Sequence, residues 1–348
     1  MAASNLYVAV AGFVGRPDDV GDVGVFRRTG SGEWDHPLGA HEAYSVFVHP
    51  ADPDLVFAGT ADGVWLSRDR GASFARTDFP DAVQIWSFLA SDGDADRMYA
   101  GAAPVGVYRS DDRGKSWRRL PDPVIAERCK GPFAPRVMRM AQTPGQPDRV
   151  IAALEIAGAM RTDDGGESWH DMGDGLVALS ARPHLQSSIV QQETKAEGML
   201  DGHAIATSPA DPEAAILACR MGLFRTRDGG RSWQDMELKR FSPTTYGRDI
   251  KVSPSDPRTM YAALSVSAAS HDGGLYRSDD AGESWRRFDK VQVHGTIMSI
   301  GLNAADPGEV HIGARYDGEI FGTTDGGDTW REDRLPGKVK DIYSVACG

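Results

Sequence analysis

Short apolar runs separated by polar turns organise this chain, and no sustained helical period competes with them. Residues 44–77 show the unit: YSVFV, a turn through Pro50 and Pro53, LVFAG, GVWLS, a second turn, and SFART. Strands this short, bounded by Gly, Pro and Asp at regular intervals, predict an all-β fold. Two signatures recur out of phase with each other. One places Asp-Pro or a looser equivalent before a β-rich run, as in HPADPDLVFAGT (49–60), SPADPEAAILAC (208–219), SPSDPRTMYAAL (253–264) and NAADPGEVHIGA (303–314). The other is Ser/Thr-x-Asp-x-Gly-x-Ser/Thr-aromatic, with its Asp at Asp69, Asp112, Asp164, Asp228, Asp280 and Asp325. A worn copy, FRRTGSGEW, ends at Trp34.

Each residue of the second signature suits a tight turn. The carboxylate can accept backbone N–H groups ahead of it, the Gly can take positive φ, and the aromatic ring can bury itself between neighbouring units. A reactive site occurs once per protein, whereas a folding device occurs once per repeat. The six carboxylates are therefore read as structural.

This octapeptide resembles the Asp-box (BNR) repeat of sialidases, sortilin-type receptors and photosystem II stability/assembly factors. The resemblance covers essentially the whole chain and implies a β-propeller with each box on the hairpin between the third and fourth strands of a blade. Six boxes and the worn copy then imply seven four-stranded blades in a single domain, 1–348. The opening run LYVAVAG reads as a second strand with no first strand ahead of it, while DIYSVACG near the end reads like the first strand AYSVFVHP. The C-terminal strand is expected to complete the N-terminal blade and leave no open edge. The sialidase pattern itself is missing: there is no Arg-Ile-Pro, and the arginines do not fall where its triad requires. Box repeats alone imply no sialidase activity.

Charge and cysteine count narrow the partners. The formal net charge of −12 argues against nucleic acid and anionic membrane surfaces, and no apolar run is long enough to span a bilayer. The first residues lack a basic segment and already alternate like a strand, which reads as no signal peptide. Cys129, Cys219 and Cys347 are odd in number and far apart, suggesting reduced thiols and a cytoplasmic protein.

Candidate chemistry lies on the face opposite the boxes, where the repeats stop resembling one another. Aligning the first strands places Tyr44, Trp86, Met138, His203, Asp249, Ile297 and Tyr343 at equivalent positions, with Arg136, Asp201, Arg248 and Asp341 among the residues just before them. The loops between second and third strands add Glu155, Arg220, His271, Asp272, Arg315, Tyr316 and Asp317. His203 with Asp201 and Glu42 reads as the catalytic set, and Arg136, Arg248, Arg315 and Tyr316 as the groups that hold substrate. His41, His203 and His294 could together take one divalent metal ion; no organic cofactor is indicated. The irregular stretch at about 170–202 reads as a lid or as a surface for a protein partner. Two functions fit these residues: a hydrolase or lyase acting on a small polar or anionic compound, and a non-catalytic scaffold that grips a protein.

Overall fold

A computed structural model of the protein describes residues 4–12, 21–30, 32–131, 133–190, 194–316, 318–339 and 341–348. Seven four-stranded antiparallel sheets form among these residues. Blades I–VI follow chain order and begin with the inner strands Ala43–His49, Gln84–Ser91, Arg136–Gln142, Gly202–Ser208, Tyr246–Val252 and Ile297–Leu302. Blade VII takes its inner strand, Asp341–Cys347, from the end of the chain and sets it beside Leu6–Ala11, Gly24–Arg28 and Trp34–Gly39. Tyr7 pairs with Ala346 and Val8 with Val345, as expected from a C-terminal run that reads like a first strand and an N-terminal run that lacks one. Each inner strand packs on those of its two neighbours, and Asp341–Cys347 meets Ala43–His49, so the ring is closed.

The repeated signature builds the same turn six times. Asp164 accepts the Ser168 N–H and hydroxyl, while Thr162 Oγ1 donates to Asp164 and accepts the Gly166 N–H. Gly166 has φ +99°, and a Cβ there would come within 2.3 Å of Leu120 in the preceding blade, so only glycine fits. The Gly165 N–H also donates to the Asp148 carbonyl of the turn between first and second strands. Both turns therefore lie on one face of the ring, and the long connectors lie on the other.

These hydrogen bonds hold the carboxylates ionised. At Asp69 and Asp164 the Ser73 and Ser168 hydroxyls lead in lowering the pKa to about 2. At Asp228 burial pushes upward, but Ser232 and Thr226 outweigh it and the value is again about 2. Asp112, Asp280 and Asp325 move in the same direction. A carboxylate with a depressed folded pKa stabilises the fold fully above its unfolded value of about 4 and loses that contribution as the pH falls. Resistance to urea should hold down to about pH 4 and then fall steeply toward pH 2. Asn substitution at several boxes should flatten that fall in urea titrations at each pH.

The segment between blades III and IV holds two short helices, Gly173–Leu179 and Glu197–Leu200, with a 3-10 turn at Pro183–Leu185. Leu176, Leu185, Met199 and Leu200 are buried in one cluster with Ile151, Ile205 and Trp233 of the adjoining blades. Apolar packing thus fixes the base of this connector to the ring. Ile189 and Val190 stand exposed at its tip.

Candidate functional site at the channel mouth

A one-residue slip near the start of every inner strand shapes the channel. The ladders jump across Tyr44, Trp86, Met138, His203, Arg248, Met298 and Tyr343, leaving each as a bulge. A bulge re-aims its side chain. Five of these, Tyr44, Trp86, Met138, Met298 and Tyr343, meet in a single buried cluster although they come from five different blades. The simple alignment placed Asp249 and Ile297 at these positions, and the structure corrects both by one residue. Asp249 instead pairs with Ala263, and its carboxylate accepts the Ile250 and Ile300 N–H groups; Ile297 is buried between blades.

Above this aromatic floor, on the face away from the boxes, lies a cavity of about 360 Å³. Arg136, Arg220, Arg248 and Arg315 line it together with Glu155, Asp201, Tyr246, Phe133, Ile156 and Tyr343. The Arg136 guanidinium lies over Trp86 and Phe133, 4.1 and 3.9 Å from the ring centroids, and reaches Glu155 at 2.8 Å. Arg315 pairs with Asp341 at 3.3 Å and donates to the Ala268 carbonyl. Arg248 is 8% exposed, and its closest carboxylate is Glu155 at 3.9 Å. Arg136 and Arg248 thus share one carboxylate between two buried guanidinium groups, and a bound anion would supply the second charge.

The wall beside Arg248 carries the second feature. His203 Nδ1 lies 2.7 Å from the Gly247 carbonyl, which can only accept, so Nδ1 carries the proton. Nε2 then faces the Tyr246 hydroxyl at 3.3 Å and Asp201 Oδ2 at 3.4 Å. Asp201 also receives Arg220 Nε at 2.8 Å. Burial pushes the Asp201 pKa upward, but His203 and Arg220 more than offset it and hold the carboxyl well below its usual range. Burial pushes the Tyr246 phenol up to about 12, so it stands ready as a donor. Cys129 lines the same cavity, with its thiol pushed up to about 11 by burial.

Of the residues singled out from sequence, Arg136, Arg248, Arg315 and Asp201 line this cavity, and His203 stands behind Asp201 and Tyr246. Glu42, His41, His294 and Tyr316 do not line it. Glu42 accepts the Gly12 N–H and the Tyr44 hydroxyl. His41 faces Asp62 and packs on Trp65, His294 is exposed beside Glu319, and Tyr316 packs near His271. Asp317 lies outside the described residues. His203 shares a site with neither of the other two histidines proposed as metal ligands. Glu155, Asp201 and His203 do place potential ligand atoms within 4.8 Å of one another. However, Glu155 already faces Arg136 and Asp201 already faces Arg220, each at 2.8 Å, so a divalent cation would have to displace two guanidinium groups. The two carboxylates thus already have cationic partners, and the arginines rather than these three residues are the groups that could meet an anion.

No family model matches the chain. Over 166 residues, 43% of its length, the chain is 25% identical to the xyloglucanase Xgh74A of Acetivibrio thermocellus, and it spans 17% of that protein. Among solved structures, the GH74 xyloglucanase from Xanthomonas campestris superposes with a TM-score of 0.63 at 16% identity, covering 83% of this chain and 45% of that one. YCF48 bound to D1 peptide superposes at 0.51 with 16% identity, covering 80% and 77%. These likenesses establish the propeller fold.

Proposed function

We propose that the protein is an enzyme, a hydrolase or lyase, that seats a small anionic compound in the mouth of the channel and exchanges a proton with it through Tyr246. The observation that carries this reading is the convergence of four guanidinium groups on a cavity whose wall also bears Tyr246, His203 and Asp201. Arg248 is the primary anchor for the anion, with Arg136 and Arg315 flanking it. Apolar walls at Phe133, Ile156 and Tyr343 exclude water and take the rest of the molecule. The phenol oxygen takes a proton from the ligand while passing its own to the unprotonated Nε2 of His203, and Asp201 steadies the imidazole then protonated on both nitrogens. The unpaired thiols of Cys129, Cys219 and Cys347 suit a cytoplasmic setting.

The xyloglucanase relatives support the hydrolase class. A glycosidase with two carboxyl groups must keep one protonated as its acid. Asp201 is held ionised, which favours a different reaction here.

A panel of carboxylate, sulfate and phosphate esters, with xyloglucan oligosaccharides alongside, should yield turnover on an anionic member. Tyr246→Phe should then lower kcat by about 10²–10⁴-fold without changing the melting temperature. Arg248→Met should act chiefly on KM, and a chelator should change nothing. Turnover on neutral oligosaccharide alone, or full activity in Tyr246→Phe, would refute the reading. A scaffold role is the second reading, favoured by Ile189 and Val190, which are 44% and 57% exposed on residues that line the same cavity. It gains if no compound turns over and a partner is lost on Ile189→Asp.

A further inference from the structure

The opposite mouth of the channel, on the face of the boxes, contains a second cavity of about 260 Å³ that shares no lining residue with the first. Its walls mix apolar side chains, including Phe47, Phe88, Ile300 and Val345, with the polar Ser45, Ser87 and Ser344, and its only charged lining groups among the described residues are Arg139 and Lys251. No carboxylate lines it, in a chain whose net charge is −12. We infer that this mouth is a binding site for a small oxyanion, of the size and chemistry of inorganic phosphate, held by the Lys251 amine with Arg139 beside it.

The two cations are unequally satisfied. Arg139 reaches across the axis, donating to the carbonyls of Trp86, Met138 and Tyr343, so its position is fixed by three blades. Lys251 comes from blade V, and its amine has no hydrogen-bond or ion-pair partner among the described residues. The nearby acid, Asp249, has each carboxylate oxygen committed to a backbone N–H. Asp249 still favours the charged amine, yet burial and Arg139 together leave its pKa below the ordinary lysine value. An ammonium group and a guanidinium that share this recess, with Asp249 as the one nearby acid, lack one negative charge, and a bound oxyanion supplies it. A phosphate oxygen can accept from the three amine protons and from the N–H groups that Arg139 has not spent on carbonyls. The site is independent of the proposed reaction at the other mouth.

The test is thermal melting at pH 7.5 and low ionic strength with inorganic phosphate as the probe, chloride being used to match ionic strength. The wild-type protein should show a saturable rise in melting temperature, with Lys251→Arg keeping the full rise, Lys251→Met losing the larger part of it, and Arg315→Gln losing at most the part that phosphate gains at the other mouth. Reductive methylation read by mass spectrometry adds a measurement that needs no variant: phosphate should slow labelling of Lys251 selectively. A rise that does not saturate reflects general salt exclusion and overturns the proposal. So does an equal rise in Lys251→Met, a rise lost in Arg315→Gln but kept in Lys251→Met, or labelling of Lys251 indifferent to phosphate.

Discussion

Deleting residues 341–348 should leave a chain without a cooperative thermal transition, recovered mainly as aggregate. The deletion removes the inner strand of blade VII and so exposes the edge of Leu6–Ala11. It also exposes the flanks of blades VI and I, on which that strand packs. Unpaired edges of this kind are templates for intermolecular pairing. The same cut takes Tyr343 from the buried cluster on the channel axis and Asp341 from its pair with Arg315. Calorimetry and size-exclusion chromatography suffice to check it. A soluble truncation with a sharp melt would show that the ring holds without its seam.

Replacing Glu155 by Gln should be the most damaging single change at the proposed site, costing about 3 kcal/mol, the low end of the range for breaking a buried ion pair. Glu155 stands between Arg136 at 2.8 Å and Arg248 at 3.9 Å, with side-chain exposures of 15%, 5% and 7% for the three groups. Without it, two desolvated guanidinium groups repel each other with little to balance them. Millimolar phosphate or citrate should recover part of the loss, because an added anion would take the place of the missing carboxylate. Urea denaturation with and without the anion measures both. A loss well under 1 kcal/mol, or no recovery, would mean that the arginine cluster is compensated elsewhere.

The architecture was legible because it is written repeatedly: each box builds its own turn from local hydrogen bonds, and each copy corrects the reading of the others. The likeness of DIYSVACG to the first strand AYSVFVHP, with LYVAVAG lacking a first strand ahead of it, revealed the closure in the same way. The site was legible only in part. Arg136, Arg248 and Asp201 were found because the starts of the inner strands must face the mouth, and Arg315 because the loops between second and third strands lie on the same face. The bulges were not visible, since one extra residue in a strand changes the facing of its neighbours without changing composition. That is why Asp249 stood where Arg248 belongs. His41 and His294 precede inner strands as His203 does not, and their side chains turn back to Asp62 and Glu319 of their own blades. Tyr246 was not singled out, because only its meeting with His203 of the neighbouring blade gives it a role and no local motif marks it.

The buried cluster of Tyr44, Trp86, Met138, Met298 and Tyr343 also has a kinetic meaning. Tyr44 stacks on Trp86 with ring centroids 4.1 Å apart, and Tyr343 meets both rings edge-on, so the throat is packed with side chains where a pore would otherwise run. Whatever enters the upper cavity must leave by the door it came through. On the reaction proposed above, product and substrate would share that one opening, and a product that keeps its anionic group would compete with fresh substrate for Arg248.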